Sequence, residues 1–362
     1  MSRIRVVVLF GGASVEREVS RISARTIVNS LDREKYEVVP LGLGADGRFL
    51  APIPSARLIS DGGVSKKFLS GEETVVSRSK AIVPKEITQG RADVVFPIIH
   101  GSTGEDGTLQ GFLEILGLPY VGAGVTGSAV GMDKSIFKAL LRDAGIPHAR
   151  SVTLSHQTRR EARARLAKLR VRLPVFVKPS NGGSSVGVTK VKDWKDLNGA
   201  IELALRYDER ALVEEGIDAR ELECAVLGND EPKASVVGEI VPGHEFYDYD
   251  DKYREDKAKL LIPAPIPKSV SNRVRRLAVE VFRIAGISGM ARVDFFLKRG
   301  TQKVLVNELN TLPGFTAISM YPKLWEASGL PLPKLLDELI RLALERKGRR
   351  DQLSHEPPAE LK

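Results

Sequence analysis

The sequence of 362 residues holds a single cysteine, Cys224, so no internal disulfide can brace it, and the small disulfide-stapled domains are excluded. Long apolar runs are also missing. The longest, such as Ile4–Phe10 and Val94–Ile99, fall far short of the roughly 20 residues that cross a bilayer. The opening MSRIRVVVLFGG has too short an apolar stretch for a secretory leader, so a cytoplasmic chain without a membrane partner is expected. No phosphate loop of the GxxxxGK[ST] type occurs, which removes the commonest route to nucleotide binding but not nucleotide use itself. No internal repeat is present.

What is there suits a globular protein. Apolar residues make up 42% and charged residues 28%, enough to bury a sizeable core, in a length that fits two or three domains. Cys224 lies in the alternating run ELECAVLG, which predicts a buried, inert thiol rather than a nucleophile. The 55 basic and 46 acidic residues leave a net charge of +9, which raises the question of a nucleic-acid partner. The basic excess is concentrated in Thr158–Arg172, seven Arg or Lys against one Glu with little aromatic interleaving. That pattern is a solvated helix face, and no nucleic-acid partner is expected.

Along the chain, the β-branched run Ile4–Phe10 ends at Gly11-Gly12, and Val15, Val19 and Ile22 follow at helical spacing, which predicts strand, glycine turn, helix. Further strands are expected near Glu37–Leu41 and at Val94–Ile99, the latter followed by a glycine-rich turn and a helix from Thr108. Alternation of strand and helix implies a parallel sheet in the first third. Ala51–Pro84, rich in Pro, Gly and Ser, reads as an irregular excursion. After Pro119 come a short strand, a glycine-rich turn and a helix over Asp133–Asp143 stopped by Gly145 and Pro147. The turn Gly122-Ala-Gly124-Val-Thr-Gly127 matches a dinucleotide fingerprint. It follows a short strand and lacks an acidic residue placed for a ribose, so a tight loop before a helix explains the glycines equally well.

Strand-like Leu173–Lys178 and Val186–Val191 bracket Ser180-Asn-Gly-Gly-Ser-Ser-Val-Gly187, a hairpin flap whose backbone N–H groups can lie over phosphates, with Lys178 at its base as a point charge. From Ala211 strands dominate, with helices near Val270–Ala285 and Pro333–Arg346. Met290–Leu297 and Lys303–Asn310 form a strand pair. With a period of two, Arg292 and Asp294 share one face and Glu308 and Asn310 share one face of the partner, while Val293, Phe295, Val304 and Val306 supply the core side. Two carboxylates and an amide oxygen, completed by phosphate oxygens, suit Mg²⁺, and the His or Cys ligands of zinc are absent here. Asn310-Thr-Leu-Pro-Gly314-Phe-Thr-Ala-Ile-Ser319 follows, so the Gly314 N–H and the Ser319 hydroxyl can face whatever the metal holds. Gly314 and Arg292 together can stabilise an oxyanion. Tyr247-Asp-Tyr-Asp-Asp-Lys252-Tyr253 sits in a long polar stretch without periodicity, which reads as a lid.

Seven segments in order over nearly the whole chain resemble the D-alanine:D-alanine ligases of the ATP-grasp superfamily: GGASVEREVS (11–20), HGSTGEDGTLQG (100–111), GMDKS (131–135), KPSNGGSSVG (178–187), YDYDDKY (247–253), MARVDFF (290–296) and NELNTLPGFTAISMYPKLW (307–325). The resemblance implies an α/β chain of ATP-grasp fold. An N-terminal α/β substrate domain (1–125) precedes a central domain with the flap (126–212) and a C-terminal catalytic domain with the lid (213–346), the last two clamping ATP. Residues 347–362, mixed in charge and without apolar periodicity, read from composition as a disordered tail. The resemblance further implies ATP-dependent joining of two D-alanines through a D-alanyl phosphate for peptidoglycan precursor synthesis, two Mg²⁺ with Mn²⁺ able to substitute, and a homodimer.

Residue by residue, the resemblance implies that Glu16 holds the first substrate's ammonium, tied by Ser184 and Tyr253 to flap and lid, with His100 close by. Lys134, Lys178 and Lys252 match phosphate contacts, with Ser185 in the flap. Glu214 and the Glu215–Ile217 backbone match the adenine site, and Glu221 the ribose contact. Asp294, Glu308 and Asn310 match magnesium ligands, Arg292 and Gly314 oxyanion stabilisers, and Ser319 the anchor of the second carboxylate. Three alternatives stand beside this reading. A ligase of the same fold would make D-alanyl-D-lactate or D-alanyl-D-serine, although Tyr253 resembles the dipeptide-forming type. A non-catalytic ATP-binding regulator would lack chemically competent residues at these positions. A nucleic-acid binder would need the 158–172 segment to dominate.

Overall fold

The computed structural model describes residues 2–60, 83–87, 92–184, 186–242 and 259–354. Strand β1 (Ile4–Gly11) has its last six residues buried, as the centre of a parallel sheet covered on both faces requires. It lies between β2 (Tyr36–Leu43) and β3 (Val94–Pro97), with both neighbours parallel to it. Helix α1 (Arg17–Ser30) makes the crossover from β1 to β2. The turn before it depends on Gly11, whose φ is +101° and where a Cβ would overlap the Leu43 carbonyl, so only glycine fits.

The expected irregular stretch from Ala51 begins instead with a helix, α2 (Pro52–Ser60). Prolines in a first turn sacrifice no intrahelical donor bond, and Ser55 Oγ accepts the Gly42 N–H at 2.9 Å, docking the helix on β2. The short strand after Pro119 reduces to one parallel bridge between Tyr120 and Val95. It is followed by α3's successor on the chain: α3 (Thr108–Ile115) precedes the bridge, and α4 (Val125–Met132) and α5 (Lys134–Asp143) come after it. Of the Gly122–Gly127 glycines, Gly122 turns the chain at φ +97° and Gly127 serves packing. A Cβ on Gly127 would lie 2.7 Å from Ile287 Cδ1, so α4 approaches closely where a side chain would hold it away. Asp133 caps α5 by accepting the N–H groups of Ser135 and Ile136.

The second sheet is antiparallel in the order β4 (Ser151–Ser155), β7 (Arg210–Glu215), β5 (Val175–Pro179) and β6 (Thr189–Val191). It has its own core with α6 (Ala162–Lys168) and α7 (Leu197–Ala204). Strands β5 and β6 pair antiparallel, Val175 opposite Val191, so the glycine loop does join a hairpin. In the basic segment Ala162 and Leu166 are buried and Arg160, Arg163 and Lys168 exposed, the amphipathic arrangement expected of a solvated helix face.

The third sheet is antiparallel in the order β10 (Lys259–Leu261), β9 (Lys233–Val241), β8 (Ala219–Gly228), β11 (Gly289–Lys298) and β12 (Val304–Asn310). One face packs on α8 (Lys268–Ile284) and on Phe137, Leu141 and Ile146 of α5 and its exit. The other packs on α9 (Met320–Ala327) and α10 (Leu332–Arg350), and α10 also buries Leu335, Leu336 and Leu339 in the cluster that holds Val6, Val8 and Phe96 of the parallel sheet. That shared cluster fixes the first sheet against the third. Cys224 is fully buried, and burial pushes its thiol up to about 12, which makes it inert as expected. Among the described residues no helix is long and apolar enough to cross a membrane.

Candidate active site

The polar face expected on the β11–β12 pair exists, with Arg292 opposite Asn310 and Asp294 opposite Glu308. Val293, Phe295, Val304 and Val306 are buried on the reverse face. The ladder shifts register after Asp294, so that Phe295 pairs with Val306, and this bulge keeps Asp294 and Glu308 abreast while the core residues stay inside. Arg292 Nε and Nη2 donate to the two oxygens of Asp294 at 2.7 and 2.8 Å, and Nε lies 3.0 Å from Glu223 Oε2. Glu223 stands on β8 opposite Asp294. It was missed in the sequence, although Glu221 and Glu223 alternate with Leu222 and Cys224 in the same run that exposed the strand.

Beyond β12, Thr316 N–H donates to Ser319 Oγ at 2.9 Å, and Phe315 N–H donates to Ser23 Oγ at 3.0 Å, fixing the loop on α1. A Cβ on Gly314 would lie 2.8 Å from Ser319 Oγ. The loop can therefore bring backbone against that hydroxyl only with glycine there.

Two cavities open on these residues. The smaller, about 160 Å³, is lined by Glu16, His100, Arg292, Asn310, Gly314 and Ser319 among others. The larger, about 730 Å³, lies between the second and third sheets against Lys178, Glu214, Ile217, Glu221 and Asp294 among others. The larger volume falls in the range of ligand pockets that take a whole cofactor. Lys134, Gly183, Ser184, Glu223, Arg292 and Glu308 line both, so the cavities meet at the flap and the carboxylate strands.

The flap reaches the first domain directly. Ser184, with φ +52°, donates its hydroxyl to Glu16 Oε1 at 2.5 Å. Lys134, the first residue of α5, donates from Nζ to the Gly182 carbonyl at 2.5 Å, and its N–H donates to the Ser180 carbonyl. His100 is 5% exposed. Burial opposes a charge on its imidazole, but Glu105, through hydrogen bond and charge, and the further Glu16 outweigh it and raise its pKa above the ordinary value. Glu105 also accepts the Gly101 N–H at 2.7 Å and was a second omission, hidden because glycines flank it and no periodicity marks it.

In the larger cavity Lys178 Nζ donates to Glu214 Oε2 at 2.6 Å. Lys138 of α5 places Nζ 2.5 Å from Glu214 Oε1. Burial would raise the Glu214 carboxyl, but the two ammonium groups hold it down at about 2. Lys138 is a third omission, detectable one turn after Lys134 on the side that carries Leu141. The Glu215 side chain turns away to Arg150, which donates to it at 2.8 Å, so at Glu215 the chain offers the cavity backbone. Ser185, Lys252 and Tyr253 lie outside the described residues.

Among the described residues no group of three His, Cys, Asp or Glu side chains is arranged to hold a metal. The donor set of Asp294, Glu308 and Asn310 is all oxygen and has two carboxylates in register on adjacent strands. It fits a hard divalent cation that takes its remaining ligands from phosphate and water.

A parallel-sheet domain followed by two antiparallel layers, with a nucleotide-sized cavity between them under a glycine hairpin, defines an ATP-grasp ligase. Family models described as D-ala D-ala ligase N-terminus and D-ala D-ala ligase C-terminus match residues 5–123 and 140–341. The chain is 46% identical over 350 residues to a D-alanine–D-alanine ligase of Thermoanaerobacter sp. (strain X514), covering 95% of this chain and 98% of that one. It is 48% identical over 366 residues to D-alanine–D-alanine ligase A of Chromobacterium violaceum, covering 97% and 98%. Among solved structures, the D-alanine-D-alanine ligase from Coxiella burnetii superposes with a TM-score of 0.84 at 40% identity, covering 97% of both chains. The VanG D-Ala:D-Ser ligase from Enterococcus faecalis superposes with 0.80 at 34%, covering 94% of this chain and 100% of that one. The chain belongs to the D-alanine–D-alanine ligase family.

Proposed function

We propose that the protein joins two D-alanine molecules into D-alanyl-D-alanine at the expense of ATP, through a D-alanyl phosphate, as a step in making peptidoglycan precursors. The observation that carries this reading is the meeting of a small polar cavity and a nucleotide-sized one at Lys134, Ser184, Arg292 and Glu308. A carboxylate bound in the first would face the terminal phosphate of a nucleotide in the second.

In this reading Glu16 holds the ammonium of the first D-alanine, with His100 beside it. Lys134, Lys178 and Lys252 neutralise the triphosphate. Glu214 and the 215–217 backbone receive the adenine, and Glu221 the ribose. The first substrate's carboxylate oxygen attacks the γ-phosphorus and ADP departs, which turns that oxygen into a leaving group. Ser319 anchors the carboxylate of the second D-alanine so that its amine attacks the acyl carbon. Arg292 and the Gly314 N–H stabilise the oxyanion that forms, and inorganic phosphate leaves. Asp294, Glu308 and Asn310 would hold Mg²⁺, which supplies charge neutralisation on the phosphates. Ser185 in the flap contacts the nucleotide. Water would destroy the acyl phosphate, so the Ser184–Glu16 contact and Tyr253 in the lid serve to close the site. Residues 1–125, 126–212 and 213–346 act as the three domains, in a cytoplasmic homodimer.

The test is phosphate release and product mass with ATP, Mg²⁺ and D-alanine, L-alanine, D-serine or D-lactate, with and without a chelator. Dipeptide from D-alanine that is lost on chelation and absent with L-alanine supports the reading. A preference for D-serine or D-lactate as second substrate would move the protein to the neighbouring ligase type, and nucleotide binding with no ligated product would overturn the reading.

A further inference from the structure

In the floor of the larger cavity, three charges share one contact. Glu214 stands on β7 with Lys178 of β5 on Oε2 and Lys138 of α5 on Oε1. All three are strongly buried: Lys138 and Glu214 expose 3% and 4%, and the Lys178 side chain exposes 13%. Lys178 and Glu214 line the cavity and Lys138 does not. Lys138 reaches the carboxylate from behind, off α5, and its contact is an ion pair without the alignment of a hydrogen bond. Glu308 bears on both lysines through its charge, yet Glu214 is the carboxylate that both contact. With two cations on that one carboxylate, one can leave it without stranding it.

We propose that Lys138 is a positioning residue for nucleotide binding: it remains paired with Glu214 when Lys178 turns from that carboxylate to the phosphates, so that the base-facing carboxylate is never left buried and alone. This rests on the reading above that Lys178 contacts phosphate and Glu214 the base. An isolated buried carboxylate is strongly disfavoured, and removing one partner of a buried pair exposes that cost. With Lys138 present, Lys178 exchanges one anion for another at little net expense. Without it, each phosphate contact that Lys178 makes strands Glu214. The arrangement also keeps Glu214 acceptor-only, suited to an exocyclic amine and hostile to a ring carbonyl at the same place. Because α5 starts at Lys134 and carries Lys138 one turn later, the helix that ties down the flap also holds the base-facing carboxylate.

The prediction separates ligands with and without phosphate. Displacement of a fluorescent nucleotide would be measured with ADP and with adenosine, on Lys138→Met, Lys138→Arg and the wild type, without D-alanine. Adenosine does not require Lys178 to leave Glu214, whereas ADP does. Lys138→Met should therefore weaken ADP at least tenfold and adenosine by no more than about twofold, and Lys138→Arg should restore ADP to within about threefold of wild type. Equal losses for both ligands mean that Lys138 only supports the fold, and an unchanged ADP affinity means that Lys178 does not depend on it; either result overturns the proposal. Should Lys138→Met fail to fold, Glu214→Gln and Lys138→Met/Glu214→Gln are compared in its place, both of which leave Lys178 without its carboxylate. With no carboxylate left to strand, adding Lys138→Met to Glu214→Gln should change ADP affinity by no more than about threefold, and a further tenfold loss overturns the proposal. None of these readouts involves ligation, so a wild type that binds ADP but makes no dipeptide would sink the proposed function and leave this inference standing.

Discussion

Ser184 donates its hydroxyl to Glu16 at 2.5 Å across 168 positions of the chain, the direct bond between the hairpin flap and the first turn after the parallel sheet. The bond exists because Ser184 adopts φ +52°, a left-handed conformation that a non-glycine residue holds only where its surroundings enforce it. A hydrogen bond to a charged group contributes about 1.5 to 3 kcal/mol. Ser184→Ala should therefore lower kcat/KM for D-alanine about ten- to hundredfold, while the thermal midpoint stays close to wild type. Steady-state kinetics with varied D-alanine, beside a melting curve, checks both halves. A parallel loss of stability would mean that the flap bond holds the fold and not the substrate.

Arg292 is gripped by Asp294 in a two-bond fork and by Glu223 from the neighbouring strand, so the guanidinium is fixed before any substrate arrives. Preorganised donors of this kind lower the barrier by about 3 to 4 kcal/mol each when charge develops on an acyl oxygen. Arg292→Ala should cut kcat by about two to three orders of magnitude. Arg292→Lys, which keeps the charge and loses the fork, should recover only part of it. Nucleotide affinity, read by ADP displacement, should change by less than about threefold in both variants. A normal kcat with only a raised KM would assign Arg292 to ground-state binding.

The carboxylate strands of this site were legible in the sequence because their chemistry follows strand periodicity, whereas Glu16, His100, Lys134, Glu214 and Glu221 came only from the family resemblance. Arg292, Asp294, Glu308 and Asn310 could be placed on one face by counting in twos, but the same counting puts Val304 and Val306 on that face too, and only the bulge at Asn307 turns those valines to the core. Lys138, Glu105 and Glu223 were not found. Lys138 hides in a helix stripe of otherwise apolar spacing, and Glu105 sits in a turn whose hydrogen bonds decide its direction. Glu223 needs the β8–β11 pairing, a contact between residues 71 positions apart in sequence numbering, before it faces Asp294. The helix Pro52–Ser60 was read as irregular because its prolines were counted as breakers, when at a helix start they cost nothing. The role of Phe137 and Leu141 was equally invisible locally. The stripe shows that α5 buries one side, and only the tertiary fold shows that the five-stranded sheet receives it.

Glu214 makes acid stability a readout of its pairing. Burial would raise its pKa, yet Lys138 and Lys178 depress it from its ordinary 4.5 to about 2. A depressed carboxyl contributes stability that is fully present above its unfolded pKa and is lost as pH falls toward the folded value. At 1.36 kcal/mol per unit this amounts to about 3 kcal/mol, withdrawn between roughly pH 5 and pH 2. Chemical denaturation at pH 6 and at pH 3 should show the wild type losing more stability than Glu214→Gln over that interval, with the variant less stable at pH 6. Equal slopes would mean that the ion pairs do not persist in solution.

Arg346 of α10 supplies a contrast, since it lines neither cavity. It donates to the Tyr120 carbonyl at 2.9 Å and to the Gly122 carbonyl and Ser288 Oγ, and its guanidinium stacks 4.3 Å from the centre of the Tyr120 ring. The carbonyls belong to the chain leaving the parallel sheet, and Ser288 precedes β11, so one side chain bridges the first and third sheets. Arg346→Ala would leave these acceptors without their donor in a largely buried place. Unsatisfied buried polar groups cost about 1 to 3 kcal/mol each, and the lost ring contact adds about 0.5 to 2 kcal/mol. With water entering the vacated space to satisfy two of the three acceptors, the variant should lose about 2 to 4 kcal/mol, read as a fall of several degrees in the thermal midpoint, with KM for ATP and D-alanine within about twofold of wild type at 25 °C. Arg346→Lys should recover little, because an ammonium cannot reach three acceptors and lie flat on the ring at once. A KM for D-alanine that rises with the loss of stability would mean that the bridge also sets the distance between Glu16, in the turn after β1 of the first sheet, and Arg292 on β11 of the third.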